Sequence, residues 1–234
     1  MKLTSKGVTR RFFRNVRNTN FFYALQSTDF ALQEGAVTEI VGRSGSGKTT
    51  LAHILSGLLA PTDGSVYLDG TDLYALSDEK RSMLRSRHIG IVPQGQTGLQ
   101  SLTVLENVLA PAMMYGDMKG KEALAHQYLE EMEISDLCDV YSNELSGGEL
   151  RRMSIARALI NSPEIIIADE PTGDLDDDTT ALVLRLFRRL ADKGCSVLII
   201  THEQEAIHYA DKLYRMEKGI LSEISGGLPL DKDS

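Results

Sequence analysis

Four short β-type runs punctuate the chain: Val37-Thr38-Glu39-Ile40-Val41, Ile89-Gly90-Ile91-Val92, Ile165-Ile166-Ile167-Ala168 and Val197-Leu198-Ile199-Ile200. Runs this apolar, with helical stretches between them, read as buried strands of a parallel sheet. Helical spacing follows the first run over residues 50–59, and a turn at Pro61-Thr62-Asp63-Gly64 leads to a strand over 65–69. Ser77-Asp78-Glu79 opens a charged helix, with a capping serine and acids in its first turn. Leu182, Val183, Leu186, Phe187 and Leu190 mark one face of another, stopped by Gly194.

From residue 95 to 162 the pattern changes, with no strand-like run and helix signals throughout. Thr103-Val104-Leu105-Glu106 and Ser146-Gly147-Gly148-Glu149 both have capping-box spacing. Between them Leu124, Tyr128 and Met132 recur at helical spacing, with core packing as the default reading. Strands over 212–216 and 220–224 flank Lys218-Gly219, and the tail frays from Gly226. The expected architecture is α/β, a nucleotide-binding core over 1–94 and 163–225. Into it 95–162 is inserted as an α-helical subdomain, with an N-terminal antiparallel β subdomain and a tail over 226–234.

Chemistry enters at Gly42-Arg43-Ser44-Gly45-Ser46-Gly47-Lys48-Thr49, which lies between a strand and a helix, the context a phosphate loop requires. Glycines 42, 45 and 47 let backbone N–H groups converge on a polyphosphate, and the helix beginning near Lys48 adds its positive end. Lys48 is expected at the β/γ-phosphates and the Thr49 hydroxyl on Mg²⁺, with Ser44, Ser46 and Thr50 in the same cradle. Asp169 and Glu170 end a buried strand, placing one carboxylate to hold Mg²⁺ and the other, on the opposite side of the strand end, to polarise an attacking water. His202 ends the next strand, within reach of the γ-phosphate.

Composition narrows the setting. The 234 residues carry 25 basic and 33 acidic side chains, a net charge of −8 that argues against general nucleic-acid binding. No apolar run approaches the roughly 18–20 residues of a membrane span, and the first residues lack the apolar stretch of a secretory signal. Cys138 and Cys195 match neither a disulfide framework nor zinc spacing, so a soluble, cytoplasmic protein with reduced thiols is expected. No acidic residue precedes Asp29, whereas Lys2, Lys6, Arg10, Arg11, Arg14 and Arg17 are basic. They read either as a solvated hairpin face or as a positive rim beside triphosphate or anionic lipid. Phe12, Phe13, Phe21, Phe22 and Tyr23 cluster there, mostly as core or strand residues, with one aromatic free to stack on a nucleobase.

The motifs then add up to a resemblance. The phosphate loop, Gln94 after a strand, Leu145-Ser146-Gly147-Gly148-Glu149, Asp169-Glu170, Gly173-Asp174-Leu175-Asp176 and His202 stand in the order of an ABC-type ATPase. The similarity covers nearly the whole chain. Residues 170–176 and 102–108 are most similar to the single-domain subgroup serving lipoprotein release, macrolide export and FtsE-type cell division. The resemblance implies a RecA-like P-loop core and an ATP hydrolase that binds ATP and Mg²⁺. It also implies two subunits packed head to tail, with each ATP between one phosphate loop and the other subunit's Ser146, Gly147, Gly148 and Glu149. By the same resemblance Gln94 senses Mg²⁺, Asp176 belongs to the loop contacting the other subunit, and Phe13 stacks on the base, with Phe12 and Tyr23 as runners-up. Arg151-Arg152 and Gly95-Gln96-Thr97-Gly98 depart from the commoner pattern at their positions.

The implied protein powers a separate integral-membrane permease, sits on the inner face of the cell membrane, works as a homodimer and binds no nucleic acid. An FtsE-type ATPase that signals without transport is the alternative; a soluble ABC ATPase of DNA repair or translation and a P-loop kinase are weaker rivals. Glycines 95 and 98 suit a hinge beyond Gln94. Leu99, Leu102, Met113, Met114 and Tyr115 either line a groove for a partner helix or lie buried within the insertion.

Overall fold

The computed structural model describes residues 2–13, 20–95, 97–114, 117–173, 175–202 and 205–224, the first two of the last stretch by backbone alone. Strands β1 (Leu3–Phe13) and β2 (Phe21–Leu32) form a long antiparallel ribbon, followed by β3 (Val37–Val41) and α1 (Lys48–Leu55). Next come β4 (Asp63–Leu68), β5 (Thr71–Asp72), α2 (Asp78–His88) and β6 (Ile89–Val92). Between β6 and the next strand of the sheet the described elements are helical: α3 (Val104–Met113), α4 (Lys121–Glu131), α5 (Gly147–Leu159) and two short 3₁₀ turns. The chain then runs through β7 (Ile165–Asp169), α6 (Asp177–Asp192), β8 (Ser196–Thr201), β9 (Lys212–Glu217) and β10 (Ile220–Glu223).

Two sheets result. One has the order β2-β1-β4-β5 and is antiparallel; the other, β10-β9-β3-β8-β7-β6, is parallel except for β10. Alternation along the parallel strands divides the apolar residues between two cores. Ile166, Ala168, Val197 and Ile199 face α3, α5 and α6, whereas Ile165, Ile167, Leu198 and Ile200 face α1 and the ribbon's Leu3, Val8, Leu25 and Phe30. Helix α1 is therefore enclosed between sheets, with Leu51, Ile54 and Leu55 fully buried. That enclosure fixes the phosphate loop at its N-terminus.

Local signals are realised where hydrogen bonds complete them. Ser77 accepts from the Lys80 N–H, and Thr103 and Ser146 form both halves of their capping boxes. Lys218 and Gly219 both have positive φ, 49° and 78°, the geometry of a two-residue hairpin turn between β9 and β10. Helix α1 stops at Leu55, short of the expected residue 59, because Gly57 is left-handed (φ 75°) and the Leu58 and Leu59 N–H groups both return to the His53 carbonyl. Strand β4 starts at Asp63, two residues early, through its pairing with Thr9. On α4 the buried positions are Ala125 and Leu129, with Leu124 and Tyr128 only partly covered. The ribbon aromatics are strand residues but not core: Phe13, Phe21, Phe22 and Tyr23 are all exposed. Arg14, Arg17, Tyr115 and the tail from Gly226 lie outside the described residues.

The two proposed hinge glycines sit in different surroundings. Gly95 (φ 89°) has no atom near its Cβ position, whereas a Cβ on Gly98 would press on Ser142 at 2.8–2.9 Å and on Leu150 at 3.1 Å. Beyond Gly98, buried Asn107 locks the loop: its amide donates to the carbonyls of Leu99, Leu102 and Thr103 and accepts from the Leu99 N–H. Both cysteines are free thiols.

Glu39 sits mid-strand in β3, fully buried between Ile199 and Leu213 in register, with neither carboxylate oxygen hydrogen-bonded. Burial pushes its pKa up from 4.5 to about 8. The folded chain holds that proton and the unfolded chain releases it, so stability is lost progressively as pH rises from about 4.5 to about 8. Glu39→Gln should therefore unfold at a higher temperature than the parent, by a margin that widens between pH 5 and 8 and levels off above. Thermal melts across that range decide it; a margin independent of pH would exclude the mechanism.

Candidate nucleotide-binding site

The loop from Gly42 to Lys48 is held from behind by backbone. Gly219 N–H donates to the Ser46 carbonyl at 2.8 Å, and Gln26 N–H to the Gly219 carbonyl at 2.8 Å. A Cβ on Gly42 would collide with the Met216 carbonyl, and one on Gly47 (φ 112°) with the Ala24 carbonyl. These two glycines are demanded by the protein's own chain. Gly45 differs: φ is 75° and the space beside it is open, so it serves the loop's curvature towards the cavity. Lys48 is buried, and its Nζ donates to the carbonyls of Gly42 at 2.6 Å and Arg43 at 3.3 Å.

In front of the loop lies a cavity of about 600 Å³. Its walls bring together residues 43–50 with Gln94, Glu170 and His202, and with Phe12, Phe22 and Ala24 of the ribbon. The lining thus combines a cation and phosphate-loop N–H groups with aromatic carbon, the two kinds of partner a nucleotide needs. A larger cavity, about 900 Å³, opens between the N-terminal sheet and β9–β10; Lys2 and Lys6 line it, but none of the predicted phosphate-loop, carboxylate or histidine residues does.

Two consecutive carboxylates diverge at the end of β7. Asp169, in register with Ile200, faces α1 and is buried with both oxygens unpartnered. Burial raises its pKa, while the Thr49 hydroxyl, near it though outside full hydrogen-bond geometry, acts in the opposite direction. Glu170 is left-handed (φ 51°), rare for a residue with a side chain. Its N–H donates to the Ile200 carbonyl at 2.7 Å, and its Oε2 lies 2.8 Å from His202 Nδ1. A proton on Nδ1 is therefore placed to be donated to Glu170.

The remaining sequence-predicted residues lie elsewhere. Phe13 is not at the cavity: β1 pairs Phe12 with Phe22 and Phe13 with Phe21, and the two pairs occupy opposite faces of the ribbon. Phe12 and Phe22 stand 6.0 Å apart with Arg10 4.8 Å over Phe12, while Phe13 and Tyr23 each pack edge-on against Phe21. Both Phe12 and Phe22 follow only from the bulged register of β1 with β2. Gly42 lies behind the loop. Ser146, Gly147, Gly148 and Glu149 start α5 outside this cavity. There the Glu149 carboxylate accepts from the Ser146 N–H and hydroxyl at 2.7 Å, which lowers its pKa, and the Glu149 N–H bonds back to the Ser146 hydroxyl. The capping bonds leave Gly147 and Gly148 N–H at the helix start. Asp176 also lies away from the cavity, capping α6 through bonds to Thr179 that lower its pKa.

The sequence profile described as ABC transporter matches residues 25–173. The chain belongs to the ABC transporter family. It is 39% identical over 202 residues to the lipoprotein-releasing system ATP-binding protein LolD of Anaplasma marginale, covering 86% of this chain and 90% of that one. It is 38% identical over 203 residues to the macrolide export ATP-binding/permease protein MacB of Rhodopirellula baltica, covering 85% of this chain but spanning only 30% of that longer protein. Among solved structures, the dimeric post-hydrolysis state of the ATP-binding cassette MJ0796 bound to ADP and Pi superposes with a TM-score of 0.88 at 30% identity, over 96% of this chain and 99% of that one. The ABC profile begins after Ala24, so the ribbon aromatics that line the cavity fall outside it.

The packing behind the loop separates its glycines by substitution. Gly47→Ala drives a methyl group into the Ala24 carbonyl at an unfavourable φ, and should cost about 3 kcal/mol or more together with nucleotide binding. Gly45→Ala meets no atom and should cost only its conformational strain, about 1–2 kcal/mol. Denaturant melts of the two variants check this; equal destabilisation would show that sterics behind the loop do not matter.

Proposed function

We propose that this ABC ATPase binds ATP in the cavity before the phosphate loop and hydrolyses it in a head-to-tail dimer, powering an integral-membrane permease. The observation that carries the reading is a division of the site. The phosphate loop, Gln94, Glu170 and His202 share one cavity, while α5 presents capped but open N–H groups with no phosphate of its own to meet. A second copy turned about a two-fold axis supplies that phosphate. The relatives named for lipoprotein release and macrolide export, and the dimeric cassettes, support the assembly.

Lys48 exchanges its carbonyl partners for the β/γ-phosphates, and the loop's N–H groups wrap the chain of phosphates. The buried, unpartnered Asp169 oxygens beside Thr49 fit a Mg²⁺ ion, which Thr49, Gln94 and Asp169 would hold. When bound, that ion neutralises phosphate charge. Glu170, oriented by His202, accepts a proton from the attacking water, and the imidazole stays within reach of the γ-phosphate. Phe12 stacks on the base in place of Phe13. Asp176 and its cap on α6 lie beside the loop that meets the second copy.

No helix among the described residues is long and apolar enough to cross a membrane, so membrane work requires the permease, and the protein sits peripherally on the membrane's inner face. Residues 95–162 act as the helical unit that meets it. Leu99, Met113 and Met114 are exposed there, 50%, 58% and 76%, an adaptable apolar surface for a permease segment.

Replacing the general base tests the reaction. Glu170→Gln should bind ATP, lose about 100-fold or more in turnover, and accumulate as a nucleotide-bound dimer in size-exclusion chromatography. Wild-type turnover in that variant would falsify the assignment.

Base stacking is tested separately. Phe12→Ala should raise KM for ATP about tenfold, the value of one lost base stack, and Phe13→Ala less than about twofold. Steady-state kinetics of the pair settle the matter, and the reverse order would return the stack to Phe13.

A further inference from the structure

Helix α5 carries two consecutive arginines that fasten it on opposite sides. Arg152 donates to the carbonyls of Met132 and Glu133, just beyond the end of α4. Arg151 turns towards the sheet: it is 3% exposed, and its Nη1 donates to the Pro93 carbonyl at 2.8 Å. Further along the same helix, Arg157 Nη2 donates to Thr97 Oγ1 at 2.9 Å. Pro93 and Thr97 bracket Gln94, and within the bracket Gly95 has positive φ and open space around it. The Gln94 segment is thus a short strap with both ends fastened to one helix.

The first fastening acts directly on Gln94. The Pro93 carbonyl and the Gln94 N–H belong to one planar peptide unit, so a donor that fixes the oxygen also fixes the direction in which Gln94 leaves it. Proline restricts the other side of that unit by locking φ. A guanidinium is rigid, permanently charged and presents its N–H groups in a fixed fork, so it holds the carbonyl in one orientation. At its N-terminus, the same helix begins with Ser146, Gly147 and Gly148.

We propose that Arg151 is a positioning residue for Gln94, making the placement of Gln94 in the nucleotide cavity follow the position of α5. The proposal rests on the reading of Gln94 as part of the hydrolytic site. Through it, a displacement of the α5 N-terminus against the second copy reaches the Gln94 side chain of the same chain across one hydrogen bond. Arg151 touches no nucleotide, so it acts on turnover and leaves binding alone.

The test is a double-mutant cycle on the full chain, reading kcat, KM for ATP and nucleotide affinity, with thermal melts to confirm folding. Arg151→Met keeps the apolar stem and removes the donor. Its kcat should fall about tenfold with KM and affinity within about twofold, the size expected for one charge-assisted hydrogen bond. Arg151→Lys, which still donates to the carbonyl, should recover activity to within about threefold of the parent. Combined with Gln94→Ala, Arg151→Met should add no further loss, since the two act as a unit. A purely structural arginine would give multiplying losses, and that result, or wild-type kcat in folded Arg151→Met, overturns the proposal. Thr97→Val, at an exposed position, loosens the other end of the strap if Arg151→Met does not fold. Its kcat should fall about threefold, again with no added loss on Gln94→Ala, and wild-type kcat there counts against the strap. Wild-type kcat in Gln94→Ala alone would overturn the reading of Gln94 itself, and the positioning role with it.

Discussion

The packing of two backbone carbonyls against the rear of the phosphate loop is the constraint on which the rest of the site depends. Ala24 comes from β2 and Met216 from β9, so the loop is shaped by strands from opposite ends of the chain. A Gln26 side chain bonded to the Lys218 carbonyl, 192 positions away, belongs to the same seam. Contacts of such long range exist only when both strands are in place. The loop therefore takes its binding shape only in the complete fold, where backbone hydrogen bonds at Ser46 and Gly219 leave it little freedom. A loop already in shape need not be ordered by its ligand, and that ordering is the usual charge against affinity for phosphates.

A second constraint separates the two acids at the end of β7. Had the strand simply continued, Glu170 would point away from Asp169 by alternation alone. The left-handed turn at Glu170 instead ends the strand there and directs its carboxylate to the end of β8, where His202 and Thr201 wait. Strain of this kind costs about 1–3 kcal/mol and persists only where neighbours over-determine it. Here the Ile200 carbonyl, the His202 ring and the Gly173 N–H all hold Glu170. Asp169, by contrast, has no hydrogen bond and pays for burial with a raised pKa. In the proposed reaction the held acid serves as the proton acceptor and the bare one as a ligand for a cation.

How much of this was legible in the sequence depended on the range of the interaction. Ser77, Thr103 and Ser146 announced their helices because a cap is a bond between residues three apart. The apolar runs announced the parallel strands because burial on both faces needs no partner to be named. The phosphate loop, Asp169, Glu170 and His202 were legible as strand-end residues. Phe13 was not, since choosing between it and Phe12 requires the face of β1, and the bulged register of β1 with β2 lies beyond any local pattern. Nor did the sequence distinguish glycines needed for curvature, such as Gly45, from those needed for close approach, such as Gly42 and Gly98. That Glu39 holds its proton follows from burial between Ile199 and Leu213, which the strand register shows.

The distinction between those glycines changes how motion can pass from the nucleotide to the helices. If Gly95 and Gly98 both moved freely, a shift at Gln94 would dissipate in a slack loop. Instead Gly98 is pressed against Ser142, and Asn107 gathers the carbonyls of Leu99, Leu102 and Thr103 into the start of α3. A buried amide with every polar group satisfied makes such a junction rigid, since each lost bond would leave a buried group unpaired. Of the two glycines only Gly95 has open space beside it, with the sheet on one side and α3 on the other. Short compliance between rigid bodies transmits displacement with little loss, and α3 ends at Met113 and Met114, where the apolar surface is exposed.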